Sequence, residues 1–223
     1  MCGIAGFIGS EKISNSVINK SLFLMKNRGP DNQSYCNLKI NNSSNIYLLH
    51  SRLSIIDLKN RSNQPFKKKH ITLIFNGEIY NYREIRKNLE ELGYKFYTES
   101  DTEVLASAYL HYGEKCVDYF EGMWVFAIWD DKIKKLFLSR DRFGEKPLFF
   151  YINQKGIYFG SEIKFVKSLC LDSFKINTAK ININLLHGYK SIFQDSSTYF
   201  KNIFFLESGH NFIIDSNLNK KKI

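Results

Sequence analysis

The residue with the clearest chemical potential is the second in the chain, where Cys2 directly follows Met1. Removal of Met1 leaves a cysteine whose own α-amine lies close enough to its sulfur to act as a base, directly or through water. An α-amine titrates near about 7.7 to 8.0 and a thiol near about 8.5, so proton transfer between them is useful at neutral pH. The alternative is a small buried thiol at the start of a strand, and position alone does not choose between the two.

Six short sequence motifs follow the N-terminal segment around Cys2 along the chain, and we call them blocks. They are Asn27–Asp31, His50–Asp57, Phe75–Asn81, Ser100–Glu103, Arg140–Leu148 and Gly160–Lys164. The opening Cys2–Gly6 resembles the mature start of class II glutamine amidotransferases, which use an N-terminal nucleophile. The six blocks are similar to the glutaminase domain of asparagine synthetases more than to sugar-phosphate or purine-pathway amidotransferases. A single block such as Asn-Gly is a common turn, whereas six in one order are specific.

Asn76 and Gly77 offer a second chemical group. A side-chain amide and a flexible backbone N–H at successive positions can converge on one developing oxyanion, and losing one such donor costs about 100- to 1000-fold in rate. The alternative role of this pair is a turn after the apolar run Ile71 to Phe75. Together with the resemblance, this predicts Cys2, Asn76 and Gly77 as the catalytic residues.

Arg52 and Asp101 are the candidates for gripping an amino acid. The planar guanidinium of Arg52 can hold the α-carboxylate of glutamine through two parallel hydrogen bonds, which a lysine cannot copy; a surface ion pair is the alternative. The resemblance implies that Asp101 grips the α-ammonium, although Ser100 and Glu103 also form a capping-box pattern at this point. The predicted glutamine-binding set is Arg52, Leu53, Ile55, Ile56, Asn76, Gly77, Glu78 and Asp101.

Other residues of the blocks are expected to have structural roles. Arg28 and Asp31 flank the rigid turn Gly29-Pro30, where a salt bridge or loop-ordering role is favoured. Strand connections, or the interface with a following domain, are expected to be fixed by Arg140, Asp141, Arg142, Lys146 and Glu162. Both tryptophans, Trp124 and Trp129, are expected in the core.

These residues need a scaffold of short strands and a few helices. Helices are predicted at 14–26, 82–92, 101–112 and 183–189, and strands at 2–8, 33–38, 46–50, 71–76, 123–129, 135–139, 148–152 and 156–159, with extended pieces at 199–206 and 212–215. Hairpin-like spacing of the later strands predicts an α+β fold with mainly antiparallel sheets. The resemblance implies a four-layer αββα sandwich of two such sheets, the Ntn-hydrolase type.

The resemblance covers residues 2–215, which are predicted to form the glutaminase domain, followed by a Lys-rich tail at 216–223. In the family, a C-terminal ATP-pyrophosphatase synthetase domain follows. No Ser-Gly-Gly-x-Asp-Ser loop for pyrophosphate occurs in these 223 residues. That domain, with its ATP and magnesium, is therefore expected outside this chain, and no cofactor or metal is expected within it.

The implied activity is hydrolysis of L-glutamine to glutamate and ammonia through a γ-glutamyl thioester on Cys2. In the family, the synthetase domain uses the ammonia for ATP-dependent amidation of aspartate to asparagine. Two alternatives stay open, namely an amidotransferase acting on another acceptor such as a carbohydrate, and a catalytically inactive domain that binds glutamine or docks a partner. The sequence does not fix the oligomeric state, and a homodimer is one option.

Composition excludes several other classes. The 43% hydrophobic content suits a sizeable core, but no apolar run approaches the roughly 18 to 20 residues of a membrane span. The net charge of +10 lies in small lysine clusters with no recognition helix or aromatic RNA-binding signature, which argues against a nucleic-acid partner. Four scattered cysteines and no secretory signal favour a reducing cytoplasm and argue against a zinc site.

Overall fold

Twelve strands and five helices are formed by the residues that the structure, a computed structural model, describes, namely 1–188 and 195–222. The strands are β1 (Gly3–Gly9), β2 (Asn32–Lys39), β3 (Asn45–Arg52), β4 (Phe66–Lys68), β5 (Ile71–Ile79), β6 (Gly122–Asp130), β7 (Lys135–Arg140), β8 (Phe149–Asn153), β9 (Gly156–Gly160), β10 (Ile203–Phe205), β11 (Asn211–Asp215) and β12 (Lys220–Lys222). The helices are α1 (Asn15–Met25), α2 (Tyr82–Glu91), α3 (Asp101–Tyr112), α4 (Ile163–Leu169) and α5 (Thr178–His187), with 3₁₀ segments at Asn60–Ser62 and Gly113–Tyr119.

The strands form two six-stranded sheets that pack face to face. The first has the order β10-β8-β9-β1-β3-β2 and the second the order β12-β11-β7-β6-β5-β4, with every neighbouring pair antiparallel. Helices α1 and α4 cover the outer face of the first sheet, and α2 and α3 cover that of the second. The predicted four-layer αββα sandwich of two antiparallel sheets is confirmed.

The central strands are apolar along their whole length because both of their faces are covered. In β1, Ile4 and Ile8 point into the layer between the sheets, whereas Phe7 points towards α1 and α4. In β5, Ile74 faces the layer between the sheets and Phe75 faces α3. Side chains of a strand alternate between its two faces, so a strand inside a four-layer stack has no solvent-facing side.

A buried histidine joins the two sheets. Nε2 of His50 in β3 donates a hydrogen bond of 3.1 Å to the carbonyl oxygen of Phe75 in β5. Complete burial lowers the pKa of His50 to about 3, so its ring is neutral at physiological pH. The bond fixes the end of β3, where Arg52 stands, against the part of β5 that carries Asn76.

Most predicted elements are present, with a few differences. Strand β4 and helix α4 were not predicted, and α5 begins at Thr178 rather than at 183 because the side chain of Asn177 caps its N-terminus. The end predicted for that helix, Tyr189, lies outside the described residues. Within the Lys-rich segment at the end of the chain, Lys220–Lys222 pair with β11. Among the described residues, no helix has the length and apolar character needed to cross a bilayer.

Candidate active site

The nine residues predicted for catalysis and glutamine binding all line one cavity. Cys2 lies just before β1, Arg52 ends β3, and Leu53, Ile55 and Ile56 belong to the loop that follows β3. Asn76, Gly77 and Glu78 lie in β5, and Asp101 begins α3. Antiparallel pairing of β1 with β3 sets Gly3 opposite Ser51, which places Cys2 beside Arg52 and Leu53.

The thiol of Cys2 is held by the backbone of Leu53. The N–H of Leu53 donates to Sγ at 3.3 Å, and Sγ lies 3.5 Å from the carbonyl oxygen of the same residue. Burial raises the pKa of the Cys2 thiol above its ordinary value, and the Leu53 hydrogen bond opposes this only in part. Nucleophilic attack at neutral pH therefore needs a base, and the α-amine freed by removal of Met1 belongs to the same residue.

Asn76 places an amide without a partner in the cavity. The residue is 1% exposed, and its Nδ2 makes no hydrogen bond to any of the residues at 1–188 and 195–222. A buried donor without an acceptor costs free energy, so this amide nitrogen is available to an acceptor of a ligand in the cavity. A developing oxyanion is an acceptor of the required kind.

Gly77 lies inside β5, so the alternative assignment of Asn76 and Gly77 to a turn is wrong. A Cβ atom at Gly77 would lie 2.2 Å from the carbonyl oxygen of Met123 and 2.7 Å from Cα of Trp124 in β6. The close approach of the two strands therefore requires glycine here. The glycine is explained by this steric constraint and not by a need for a flexible backbone.

The guanidinium of Arg52 is buried and ties down the loop that follows it. Nη1 donates to the carbonyl oxygen of Lys59 at 3.0 Å and to Oδ1 of Asn63 at 2.8 Å, while Nη2 donates to the carbonyl oxygens of Ile56 and Asp57. No ion pair of Arg52 occurs among the described residues, so the surface-ion-pair alternative is wrong. A carboxylate ligand would have to take the place of some of these loop acceptors.

Asp57 connects the same loop to the start of α3. Its carboxylate accepts hydrogen bonds from the N–H of Glu99 at 2.8 Å and from Nε of Arg61 at 2.9 Å. Burial acts to raise its pKa, but these bonds and the N–H of Lys59 outweigh burial and lower the pKa to about 2. The loop is thus tied to β3 by Arg52 and to the segment before α3 by the carboxylate of Asp57, which is ionised at neutral pH.

Asp101 brings a desolvated carboxyl group to the cavity. It is 5% exposed, and its Oδ2 accepts a hydrogen bond of 3.2 Å from the N–H of Ile79. Burial, together with the nearby charge of Glu78, raises the pKa of Asp101 to about 6. A cationic ligand group would restore the ionised form, so Asp101 suits an ammonium partner.

The capping-box pattern at the start of α3 is realised only in part. The hydroxyl of Ser100 accepts a hydrogen bond of 3.1 Å from the N–H of Thr102, as expected for a helix cap. Glu103 does not return to the backbone of Ser100. Its carboxylate accepts from the N–H of Thr98 at 2.7 Å and pairs with Nζ of Lys68 at 2.7 Å.

The residues expected to have structural roles behave as predicted, with one exception. Arg28 pairs with Glu162 at 3.1 Å and also donates to the carbonyl oxygen of Cys2 at 2.8 Å. Nε of Arg140 donates to the carbonyl oxygen of Lys146 at 2.7 Å. Asp31 accepts from the N–H of Ser54, Arg142 donates to the carbonyl oxygen of Phe120, and Trp124 and Trp129 are buried.

The exception is Lys146, which lines the cavity although it was expected to fix a strand connection or the interface with a following domain. It is 4% exposed. A second lining residue, Gln64, was not predicted; its Oε1 accepts from the N–H of Phe75 at 2.6 Å, and its Nε2 donates to Oγ1 of Thr102 at 3.2 Å. Lys146 lies within a recognised block, which was a usable signal, whereas Gln64 lies outside all of them.

Comparison with known proteins was made by sequence and by structure. Residues 1–222 match the family model of the glutamine amidotransferase domain. The chain is similar to asparagine synthetase [glutamine-hydrolyzing] 2 of Bacillus subtilis (strain 168), with 36% identity over 231 residues that cover 100% of this chain and 30% of that protein. It is also similar to asparagine synthetase [glutamine-hydrolyzing] 1 of the same organism, with 39% identity over 171 residues that cover 74% of this chain and 26% of that protein.

A solved structure has the same fold at low sequence identity. Glutamine phosphoribosylpyrophosphate amidotransferase from B. subtilis, solved with ADP and GMP, superposes with a TM-score of 0.70 and 16% identity, covering 100% of this chain and 49% of that one. The chain spans less than half the length of each of these proteins.

Proposed function

The chain belongs to the glutamine amidotransferase domain family, and on that premise we propose that it hydrolyses L-glutamine to glutamate and ammonia. The observation that carries the proposal is that Cys2 and Asn76 line the same cavity, where Nδ2 of Asn76 has no hydrogen-bond partner among the described residues. A thiol needs a base before it can attack an amide, and the attack creates an oxyanion that needs donors. After Met1 is removed, both requirements are met by residues of this cavity.

In the proposed first step, the α-amine of Cys2 accepts the proton of Sγ, and the sulfur attacks the γ-carbonyl carbon of glutamine. The negative charge that develops on the carbonyl oxygen is stabilised by Nδ2 of Asn76 and the N–H of Gly77. The tetrahedral species then breaks its C–N bond, and the α-ammonium returns the proton to the departing nitrogen. Ammonia and a γ-glutamyl thioester on Cys2 are the products of this step.

In the proposed second step, water replaces the thiol. The neutral α-amine removes a proton from the water molecule as its oxygen attacks the thioester carbon, and the same donors stabilise the second oxyanion. The C–S bond breaks, and the sulfur regains a proton from the α-ammonium. Glutamate leaves, and the enzyme returns to its starting state.

Recognition of glutamine is proposed to use the charged side chains of Arg52, Asp101 and Glu78, which line the cavity. The guanidinium of Arg52 binds the α-carboxylate by exchanging loop acceptors for the ligand. The carboxylates of Asp101 and Glu78 bind the α-ammonium, which selects an amino acid over a simple amide. Leu53, Ile55 and Ile56 contact the aliphatic part of the substrate.

The longer relatives support a proposal about the whole protein. Both similar B. subtilis proteins are named asparagine synthetases, and this chain covers only 30% and 26% of them. We therefore propose that a synthetase domain uses the ammonia for ATP-dependent amidation of aspartate to asparagine, with ATP and magnesium bound outside this chain. The four cysteines are free thiols, which suits the reducing cytoplasm as the proposed location.

The proposal is tested by labelling and turnover on the purified, trimmed chain. We expect diazo-oxo-norleucine to add one adduct, mapped by peptide mass to Cys2, and glutamine to release ammonia. Cys2→Ala removes the nucleophile, so both signals should disappear while the fold is retained. Cys36→Ala, which changes another partly buried thiol, is the matched control and should keep both. Turnover that survives Cys2→Ala, or a trimmed wild-type chain that takes no label, contradicts the mechanism.

A further inference from the structure

Lys146 is a buried cation in the cavity that the proposed reaction has not yet used. It is 4% exposed, and no ion pair of its Nζ occurs among residues 1–188 and 195–222. Nζ lies 3.1 Å from Sδ of Met1. A thioether is a weak acceptor, and buried ammonium groups are normally paired. A cation kept in this environment therefore calls for a functional explanation.

The backbone of Lys146 is fixed at both ends of the residue. Its N–H donates to Oδ2 of Asp141 at 3.0 Å, and its carbonyl oxygen accepts from Nε of Arg140 at 2.7 Å. Asp141 is fully buried and also accepts the N–H of Trp124 at 3.2 Å, which ties the segment to β6. The backbone of Lys146 is therefore fixed to the sheet by hydrogen bonds, and this fixed backbone positions the side chain in the cavity.

Met1 relates this ammonium to the nucleophile. The end of the Met1 side chain touches Nζ of Lys146, and its carboxyl end forms the peptide bond to the nitrogen of Cys2. Five covalent bonds join Sδ of Met1, which lies next to Nζ of Lys146, to the nitrogen of Cys2 that becomes the α-amine. Removal of Met1 takes away the thioether that contacts Lys146 and frees the α-amine of Cys2 near the lysine ammonium.

We propose that the Lys146 ammonium holds the neighbouring α-amine of Cys2 in its neutral, proton-accepting form. The inference rests on the proposed function, in which this amine is the base. Two cations near each other disfavour one another, and the group with the weaker hold on its proton loses it first. A lysine titrates near about 10.4 and an α-amine near about 7.7 to 8.0, so the α-amine is the group that becomes neutral.

The other charges around the two amines are compatible with this assignment. Burial lowers the pKa of Lys146, whereas Glu78 in β5 opposes that change and favours the charged lysine. Lys146 is also acted on by Arg28 after α1 and by Glu145 and Asp141 in its own segment. The Cys2 thiol is acted on by the N-terminal amine, by Arg52 at the end of β3 and by Asp101 at the start of α3. Lys146 is thus a positioning residue, since it acts through the amine and not on the substrate.

The test measures the α-amine directly, in a chain that cannot turn over. In the trimmed Cys2→Ala protein, the pH dependence of N-terminal acylation, followed by peptide mass, gives the pKa of the α-amine. We expect Lys146→Met and Lys146→Gln each to raise that pKa by about one unit, because the neighbouring cation is gone. Lys146→Arg keeps a cation, and Lys87→Met removes one from the exposed face of α2; both should leave the pKa unchanged.

A second measurement uses the Cys2-containing chain. The acid limb of kcat/KM for glutamine should move to higher pH in Lys146→Met, with kcat recovered above the new pKa, and Lys146→Arg should restore the wild-type profile. An α-amine pKa that is the same in all variants overturns the inference, even where the enzyme is active. If the pKa rises in Lys146→Met but no variant releases ammonia, the inference stands and the proposed function fails. Thermal unfolding of each variant checks that the fold is intact.

Discussion

The cavity has two unlike walls. The wall from the first sheet carries Cys2 and Arg52, and both are engaged by the protein itself: the thiol by Leu53 and the guanidinium by four acceptors of the following loop. The wall from the second sheet carries Asn76, whose Nδ2 has no partner among the described residues, and it adjoins Asp101, whose carboxyl accepts the N–H of Ile79 but has its pKa raised to about 6 by burial. The first wall is satisfied within the protein, whereas the second holds an amide nitrogen without a partner.

This difference separates two kinds of contribution to a reaction. Groups that lack partners in the folded protein are preorganised, so a ligand gains their interaction without breaking another. Groups that already have partners must exchange them, so they contribute less to affinity and more to the order of the loop. We therefore expect Asn76 of the second wall to act on the chemical step and Arg52 of the first wall to act on binding.

The largest effect is expected from removing the unpaired amide. Asn76→Ala should lower kcat by about 100- to 1000-fold with a small change in KM, because the donor acts on charge that exists only in the transition state. The free energy of unfolding should change little, since Nδ2 of Asn76 makes no hydrogen bond within the described residues. Steady-state ammonia release and thermal unfolding measure the two quantities. Asn37→Ala, at an exposed position of β2, is the control. A loss of kcat below tenfold would remove Asn76 from the oxyanion site.

An intermediate effect is expected on the first wall. Arg52→Lys should cost about 2 kcal/mol in kcat/KM, mainly as a higher KM, because lysine can neither pair bidentately with a carboxylate nor hold four loop acceptors. Limited proteolysis should also become faster within residues 53–63. Arg83→Lys, at an exposed position of α2, should do neither. If the loop loosens but KM stays the same, the α-carboxylate is bound elsewhere and Arg52 serves the loop alone.

The smallest effect is a pH dependence on the side of Asp101. Its carboxyl has an ordinary pKa of 3.8 that is raised to about 6, so near and below pH 6 the group becomes protonated and loses its attraction for an ammonium. Calorimetry on the trimmed Cys2→Ala chain should show weaker glutamine binding at pH 5 than at pH 7.5, with proton release on binding near pH 6. Asp101→Asn should bind weakly at both pH values. Equal wild-type affinities at the two pH values would place the ammonium contact on another group.

The apolar and polar patterning of the sequence was sufficient to predict most strands and helices, because strands such as β1 and β5 are covered on both faces and read as continuous apolar runs. The four-layer arrangement and the nine predicted site residues came instead from the resemblance of the ordered blocks to a known family, and Gln64 and Lys146 of the cavity lining were not predicted. The sequence could not show that Arg52 binds its own loop, because those acceptors are mostly backbone carbonyls that any residue type supplies. The sequence also could not show that Lys146 lines the cavity, because its position depends on backbone hydrogen bonds with Asp141 and Arg140. Interactions through the main chain leave little trace in side-chain patterns.

The lysine-rich strands give the net charge a role in keeping molecules apart. Both edges of the second sheet carry lysine, since β4 contains Lys67 and Lys68 and β12 consists of Lys220–Lys222. An exposed edge strand is a template for pairing with a strand of another molecule, and adjacent like charges repel such a partner. Chemical acetylation of these lysines should therefore make the protein prone to edge-to-edge aggregation.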